Sequence, residues 1–343
     1  MIRVLVAEDT ATTRRLLVDL LRSEDDLEVV GEARNGKEAV ELTRRLRPSV
    51  VTMDVRMAPL DGFEATSRIM EETPTPIVIV SGSVDVRAVE TSMKALGAGA
   101  LALLPTPPGP GAPDFETQRL RFLDTVRSTS RVDVARLRRA AQPGETPTLA
   151  WATPRVVAIG ASTGGPVAIA RILGGLPADL PAPVLVVQHI AHGFGAGFAS
   201  WLDTTLPMRV RIAQHGEPLR PGTVYVAPDG LHLGITPGLA VRLSDEPPVN
   251  GARPSASHLF SSVASACGSA AIGVILTGMG QDGVNGLRDM RRAGATVLAQ
   301  DEESSVVFGM PGAAIAQGVT TATLPLDLIA PRIRELLGRT QRG

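Results

Sequence analysis

Short aliphatic runs alternate with amphipathic segments twice along this chain, and no other sequence feature limits the fold as strongly. The first series occupies residues 1–127, where five runs have the length of β-strands and the segments between them carry apolar residues at helical spacing. The predicted strands are Val4–Ala7, Glu28–Gly31, Val50–Met53, Ile77–Val80 and Leu101–Leu104. The predicted helices are Thr13–Arg22, Lys37–Leu46, Phe63–Met70, Arg87–Leu96 and Phe115–Val126. Such βα units predict a small doubly wound parallel sheet of the flavodoxin type.

The second series begins at Val156 and continues the same alternation. Its predicted strands are Val156–Gly160, Val184–Gln188, Thr223–Val226, Ala271–Leu276 and Thr296–Ala299, and its predicted helices are Val167–Leu173, Gly197–Leu206, Ser257–Ala266 and Gly283–Ala293. Two further runs, Leu231–Ile235 and Leu239–Leu243, flank Thr236-Pro237-Gly238 and predict a hairpin. We therefore predict a second doubly wound α/β domain over residues 153–343.

Residues 128–152 differ from both series and predict a linker between the two domains. Four arginines cluster there, ahead of the Pro- and Gly-containing stretch Gln142–Pro147. A nucleic-acid-binding arm is the alternative, but no aromatic residues stand among these arginines and the formal net charge of the chain is −1. We expect no nucleic-acid partner.

The composition agrees with two aliphatic cores in a cytoplasmic protein. A length of 343 residues suits two domains, and because only 3% of the residues are aromatic, the cores must be built from Val, Leu, Ile and Ala. The single cysteine, Cys267, excludes an internal disulfide and a Cys-based zinc cluster, and a packed thiol is expected there. No apolar run reaches the ~18–20 residues of a membrane span and no signal-peptide pattern opens the sequence, so we expect no membrane insertion.

Three acidic residues follow strands of the first series. Glu8 and Asp9 come directly after the first strand, and Asp54 ends the third. Because the carboxyl ends of parallel strands share one edge, these carboxylates would repel each other unless a hard cation such as Mg²⁺ lay between them. Ser81, after the fourth strand, could hydrogen-bond a phosphoryl oxygen. Solvated loop acids are the plainer interpretation of each residue taken alone.

Together these residues resemble the response regulator receiver family. Glu8-Asp9 matches its acidic pair, the segment from Asp54 to Gly62 its phosphoacceptor turn, and Ser81 its switch hydroxyl. The resemblance implies Mg²⁺-dependent phosphorylation of Asp54 by a chemosensory histidine kinase. The sequence departs from the family at the second switch position, where Thr106 in Pro105-Thr106-Pro107 replaces the usual lysine and cannot supply its ammonium group. This departure bears on how phosphorylation is coupled to the output.

The second series opens on a serine motif. Gly160-Ala161-Ser162-Thr163-Gly164 follows a predicted strand, precedes a predicted helix and satisfies G-x-S-x-G, in which small flanking residues allow a sharp turn that exposes the serine. The free N–H groups of the helix N-terminus suit an oxyanion. Alone the motif is weak, because glycine-rich strand–helix turns also bind phosphates and dinucleotides.

A serine nucleophile needs a base, and the base needs an orienting acid. His189 ends the next strand and Asp282 follows a later one, so both should emerge at the same edge of the sheet as Ser162. The chain order Ser, His, Asp differs from that of α/β-hydrolases, which disfavours their fold but not the chemistry. His192 could line the entrance, although a solvated loop position is favoured. The other histidines, His215, His232 and His258, are expected to be solvated or packed, and no metal is expected in this domain.

This half is similar to the catalytic domain of the chemotaxis protein-glutamate methylesterase family, CheB. The matching segments include Ala158–Gly165, Gln188-His189, Tyr225–Pro228, Pro247–Asn250, Arg253–Ser255, Gly273–Gly280, Asp282-Gly283 and Val306–Pro311, whereas Ser257 stands where the family often has an acid. The resemblance implies Ser162 as nucleophile, His189 as base and Asp282 as its orienter. It further implies an oxyanion hole formed by the N–H groups of Thr163 and Met279. The expected substrates are glutamate methyl esters and certain glutamines of methyl-accepting chemoreceptors, and the receiver is expected to cover the serine site until Asp54 is phosphorylated.

Two other classes of function stay open at this level. A receiver-controlled binding module with a degenerate esterase half would keep the fold, although the complete set of Ser162, His189 and Asp282 argues against it. A nucleotide-binding oxidoreductase could use the same glycine-rich turn, but the sequence contains no G-x-G-x-x-G and no clear ribose-binding acid. A transcriptional output is disfavoured because no helix-turn-helix follows the receiver.

Overall fold

The computed structural model describes residues 1–82, 86–134 and 155–338, with the side chains of residues 86–88 left out. The chain divides into two compact units, Met1–Arg138 and Arg139–Gly343. Most of the predicted linker, from residue 135 to residue 152, lies outside the described residues. The domain limits at 127 and 152 stay predictions, and the helix that begins at Phe115 continues to Ser130.

The first unit has a five-stranded parallel sheet with the order β2-β1-β3-β4-β5, which confirms the predicted flavodoxin-like receiver architecture. The strands are β1 (Ile2–Ala7), β2 (Leu27–Ala33), β3 (Val50–Met53), β4 (Ile77–Ser81) and β5 (Ala102–Pro105). The helices are α1 (Ala11–Arg22), α2 (Gly36–Leu46), α3 (Gly62–Glu72), α4 (Val86–Gly97) and α5 (Phe115–Ser130). Every predicted element of this unit is present, with ends that differ by a few residues.

Local chemistry explains why these segments form helices and strands. The central strands β3 and β4 are buried along their whole length, as the continuous aliphatic runs of a parallel sheet require. At the start of α2 the side chain of Asn35 accepts a hydrogen bond from the N–H of Glu38 at 2.9 Å, and the Glu38 carboxylate accepts one from the N–H of Arg34. This reciprocal capping satisfies N–H groups that a helix leaves open at its first turn.

The second unit has a seven-stranded sheet with the order β14-β13-β12-β6-β7-β9-β8, parallel throughout, and a separate antiparallel hairpin of β10 and β11. The strands are β6 (Val156–Ala161), β7 (Val184–Gln188), β8 (Arg209–Ile212), β9 (Thr223–Val226), β10 (His232–Ile235), β11 (Val241–Ser244), β12 (Ala271–Ile275), β13 (Thr296–Gln300) and β14 (Ala322–Leu324). The helices are α6 (Gly165–Gly174), α7 (Gly195–Thr205), α8 (Ala256–Cys267), α9 (Val284–Arg292), α10 (Met310–Ala316) and α11 (Leu326–Gly338).

Four of these elements were not predicted: the edge strands β8 and β14 and the helices α10 and α11. The three residues of β14 and the four of β8 are too short to show a period, and Arg209 and Arg211 interrupt the apolar pattern of β8. Both strands form because each pairs with the neighbouring strand of the sheet, β8 with β9 and β14 with β13. None of the described helices is long and apolar enough to cross a membrane.

The centre of the second sheet prepares a site. The three neighbouring strands β12, β6 and β7 run parallel, with Ile275 paired to Gly160 and Ala161 paired to Gln188. The chain leaves β6 toward β7 on one side, while β12 lies on the other, so the connections diverge beside β6. Ligands bind at such a divergence, outside the carboxyl ends of the strands.

Candidate active site and receiver pocket

The turn after β6 holds Ser162 against the loop that follows β12. The Ser162 N–H donates to the carbonyl oxygen of Thr277 at 3.0 Å, and the Gly165 N–H donates back to the Ser162 carbonyl at 2.8 Å. A Cβ at Gly278 would lie only 2.7 Å from the Cβ of Ser162, so only glycine allows this approach. Gly164 has a φ of +79°, a conformation that glycine adopts without strain. The G-x-S-x-G pattern therefore forms the expected sharp turn.

His189 and Asp282 meet at the same edge of the sheet. The Nε2 atom of His189 lies 2.9 Å from Oδ2 of Asp282, although 93 residues separate them in sequence. His189 directly follows β7, and its N–H donates to the carbonyl of Ala161 at 2.9 Å, which ties it to the residue before Ser162. Because Asp282 engages Nε2, Nδ1 is the ring nitrogen left to accept a proton.

The Asp282 carboxylate is buried and surrounded by hydrogen-bond donors from the start of α8. Its oxygens accept from the hydroxyl of Ser255 at 2.8 Å and from the N–H groups of Ala256 at 2.7 Å and Ser257 at 3.1 Å. The N–H of Gly283 also donates to it, at 2.8 Å. Burial alone would raise the pKa of Asp282, but the hydrogen bond and charge of His189, then Ser255 and Ala256, hold that pKa well below its usual range. The carboxylate is therefore ionised whenever the protein is folded near neutral pH.

Ser255 is a functional candidate that the sequence reasoning missed. It caps α8, since its hydroxyl accepts from the His258 N–H at 3.3 Å while donating to Asp282. Its own N–H donates to Nδ1 of His232 at 3.2 Å. A weak signal was present, because a serine two residues ahead of the predicted helix Ser257–Ala266 is a candidate N-cap. Nothing local, however, indicated that this cap would face Asp282.

The remaining histidines have the packed or solvated positions that were expected. His232 is completely buried, stacks on His258 with ring centroids 4.5 Å apart, and lies 3.2 Å from the carbonyl of Pro247 through Nε2. Burial, and then the neighbouring His232, lower the pKa of His258. His215 accepts from the N–H of Leu243 at 3.2 Å, and His192 is exposed.

Two backbone N–H groups near Ser162 are available to an anion. Within the described residues, neither the N–H of Thr163 nor that of Met279 donates a hydrogen bond. The loops that carry them are braced: the Thr277 hydroxyl donates to the Thr163 carbonyl at 2.8 Å, and the Gly278 carbonyl accepts from the N–H of Met310 at 2.8 Å. Unsatisfied N–H groups on braced loops are suited to a developing oxyanion.

The structure also brings the three acids of the first unit together. Glu8, Asp9 and Asp54 each offer a carboxylate oxygen, and these atoms lie within 4.8 Å of one another. Burial, followed by the charges of Asp54 and Asp9, raises the pKa of Glu8 to about 7, and burial also raises the pKa of Asp54. Oxygen-only donors crowded in this way fit a hard divalent cation such as Mg²⁺.

The two predicted switch residues are neighbours in the structure. Ser81 is buried at the end of β4, and Thr106 directly follows β5. The N–H of Thr106 donates to the Ser81 carbonyl at 3.1 Å. Thr106 therefore lies beside Ser81, and its side chain can offer hydrogen bonds but no charge.

Comparisons with known proteins cover both units. A family model described as CheB methylesterase matches residues 157–333, and one described as response regulator receiver domain matches residues 4–107. Two bacterial proteins called protein-glutamate methylesterase/protein-glutamine glutaminase are similar to nearly the whole chain. The one from Myxococcus xanthus is 52% identical over 97% of this chain and 96% of its own length, and one from Anaeromyxobacter dehalogenans is 54% identical over 99% and 100%. Among solved structures, the Thermotoga maritima CheB methylesterase catalytic domain is 39% identical, with a TM-score of 0.53 over 54% of this chain and 100% of that chain.

Proposed function

This chain belongs to the CheB methylesterase family, and from that membership we propose that Ser162, His189 and Asp282 are the triad with which it works. The enzyme is a protein-glutamate methylesterase with protein-glutamine glutaminase activity, joined to a response regulator receiver domain. Its substrates are chemoreceptors, taken as a class, and its phosphodonor is a chemosensory histidine kinase.

The observation that carries the triad is the hydrogen bond between His189 and Asp282. An ionised, buried carboxylate 2.9 Å from Nε2 selects the tautomer with a proton on Nε2 and leaves the lone pair on Nδ1. It also stabilises the imidazolium that forms when His189 takes up a proton. His189 is thus prepared as a general base beside the turn that exposes Ser162.

The reaction is acyl transfer in two halves. The Ser162 hydroxyl oxygen attacks the γ-carbonyl carbon of a glutamate methyl ester while its proton passes to His189. The oxyanion of the tetrahedral intermediate accepts hydrogen bonds from the N–H groups of Thr163 and Met279. The bond to the methoxy oxygen breaks, and that oxygen takes the proton from His189 and leaves as methanol. Water, deprotonated by His189, then cleaves the acyl-enzyme to a glutamate carboxylate and free Ser162, and with a glutamine substrate ammonia leaves instead.

In the receiver, Glu8, Asp9 and Asp54 are the residues that would hold Mg²⁺, and Asp54 is the proposed phosphoacceptor. The bound ion would supply positive charge beside the transferred phosphoryl group. Ser81 and Thr106 offer hydroxyls to that group from the ends of β4 and β5. We expect phosphorylation to raise esterase activity, with Thr106 contributing a weaker contact than a lysine would. The crowded acids and their raised pKa values support this assignment.

The test is methanol release from methylated chemoreceptor membranes by the full chain. Ser162→Ala should abolish release, whereas Ser265→Ala, which removes an exposed hydroxyl from α8, should leave it unchanged. A small phosphodonor with Mg²⁺ should raise the rate, and Asp54→Asn should remove that rise. Substantial methanol release by the Ser162→Ala variant would sink the triad assignment. Absence of release by the unmodified chain would favour the binding-module alternative.

A further inference from the structure

Gln188, the last residue of β7, lies between the nucleophile and the base. Its side-chain Nε2 donates to the carbonyl oxygen of Ser162 at 2.7 Å and to the carbonyl oxygen of His189 at 3.0 Å. The residue is only 5% exposed, and its side-chain oxygen is buried. Because Gln188 pairs with Ala161 across the sheet, its side chain reaches the residue that follows β6. One amide group therefore links the main chains of the two residues that must exchange a proton.

The chemistry of this position is specific for a side-chain amide. Two carbonyl acceptors require two N–H donors on one atom, which a neutral –NH₂ group provides and an ionised carboxylate or a thioether does not. The orientation has a cost, since Gln188 Oε1 is buried without a hydrogen-bond partner among the described residues. A buried oxygen without a hydrogen-bond partner destabilises a protein. This orientation of Gln188 also requires glycine at position 165, because a Cβ there would collide with Oε1 of Gln188.

Gln300 shows what a purely bracing glutamine looks like in the same sheet. It ends β13 as Gln188 ends β7, and it is completely buried. Its Oε1 accepts from the N–H of Thr277 at 2.8 Å and its Nε2 donates to the Ser304 carbonyl at 2.7 Å, so both ends of the amide are satisfied. Gln188 instead donates its two amide N–H groups to the carbonyl oxygens of Ser162 and His189, and its Oε1 accepts no hydrogen bond among the described residues.

We propose that Gln188 is a positioning residue that sets the distance between Ser162 and His189. The proposal rests on the function assigned above, since it gives Gln188 no contact with substrate. Without the amide, the turn after β6 and the residue after β7 lose the only side chain, among those the structure describes, that bonds to both. A displacement of about 1 Å between reacting groups lowers a rate by about 100-fold.

The experiment compares Gln188→Met and Gln188→Glu with the unmodified full chain in the methanol-release assay. Rates are divided by the concentration of active sites, counted by complete labelling of Ser162 with a serine-directed phosphonate. We expect kcat per active site to fall by about 100-fold in both variants and KM to change by less than about two-fold. Gln300→Met deletes a buried amide from the end of β13 and serves as a control for stability. Its melting temperature is compared with that of the two Gln188 variants.

The possible results distinguish the positioning role of Gln188 from the proposed triad of Ser162, His189 and Asp282. A merely structural role for Gln188 would lower the number of labelled sites but not kcat per site, and kcat within about three-fold of the unmodified chain would overturn the proposal. A rise in KM at unchanged kcat would overturn it as well, because it would indicate substrate contact. Gln188→Glu keeps the shape of the side chain and covers the case in which Gln188→Met does not fold. Ser162→Ala is assayed in parallel, and its failure to abolish release would contradict the proposed function and not only the role of Gln188.

Discussion

The proposed catalytic site and the receiver pocket both lie at the carboxyl edge of a parallel sheet, but they differ in how the charge of their carboxylates is stabilised. In the catalytic site, Asp282 is met by His189, by the Ser255 hydroxyl and by backbone N–H groups at the start of α8. In the receiver, Glu8, Asp9 and Asp54 converge within 4.8 Å. Burial penalises ionisation in both places, but donors outweigh it only at Asp282.

The pKa directions express this difference. The pKa of Asp282 is held below its usual range, whereas the pKa of Glu8 is raised to about 7 and that of Asp54 is also raised. The second unit therefore stabilises the charge of Asp282 with its own donors. The receiver keeps its carboxylates under mutual repulsion, so a cation or a change of charge at Asp54 has a large effect there. Four predictions test this contrast.

The largest effect is expected for Asp282→Asn. An asparagine keeps the size of the side chain but no longer selects the His189 tautomer or stabilises its imidazolium, so kcat should fall by about 10⁴-fold with little change in KM. Methanol release at saturating substrate measures it. A loss smaller than about 10-fold would mean that the donors around this carboxylate serve folding and not catalysis.

Removal of divalent cations should affect only the receiver. Chelation should lower the rate of Asp54 phosphorylation by at least about 100-fold, because Mg²⁺ offsets the charge of the crowded acids and of the phosphoryl group. The unstimulated esterase rate of the same sample should stay constant, since the described catalytic site uses only its own donors. Phosphate incorporation and methanol release are measured in parallel. A fall in unstimulated methanol release on chelation would contradict the contrast.

Ser255→Ala removes one donor from Asp282 and should lower kcat by about 10-fold, the usual effect of losing one hydrogen bond to a charged group. Ser255→Thr retains the hydroxyl and should recover most of the activity. Because Ser255 also caps α8, the melting temperature of each variant is recorded beside its kcat. Equal activity of the alanine and threonine variants would show that the hydroxyl does not act on Asp282.

The smallest effects are changes of stability with opposite signs. The folded-state pKa of Asp282 is lowered, so its ionised form stabilises the fold at neutral pH, and this contribution is lost only as the pH falls through the folded-state value. The folded-state pKa of Asp54 is raised, so its ionisation destabilises the fold as the pH rises through that value. At neutral pH, in chelator, Asp282→Asn should lower the melting temperature of the second unit and Asp54→Asn should raise that of the first, each by a few degrees. Calorimetry checks both, and shifts of the same sign would break the comparison.

Much of the fold could be predicted from local pattern. The helix and strand periods placed all five strands and the five helices given above for the first unit, because β1, β3, β4 and β5 are largely buried aliphatic runs bounded by turn residues. In the second unit the same reasoning missed β8 and β14, whose pairing depends on strands already in place. Helix α10 follows a loop that packs against Gly278, a contact between segments far apart in sequence.

The candidate site divides in the same way. Ser162, His189 and Asp282 could be proposed from the sequence because each follows a recognisable strand, and parallel strands end at one edge. Ser255 and Gln188 could not be assigned roles, since a cap and a strand-ending glutamine have many ordinary explanations. Their partners, Asp282 for one and the Ser162 and His189 carbonyls for the other, lie on different elements.

The sequence by itself determined the residue types at the strand ends, the glycines that permit the turn at Ser162, and the aliphatic runs that form two parallel sheets. These properties are local: a period of apolar residues or a positive φ requires no knowledge of distant segments. The tertiary structure decided that β12, β6 and β7 are neighbours, that the N-terminus of α8 faces Asp282, and that the Gln188 amide joins the main chains of Ser162 and His189. Those choices depend on which elements pack together, and packing is settled by the whole core and not by any single segment.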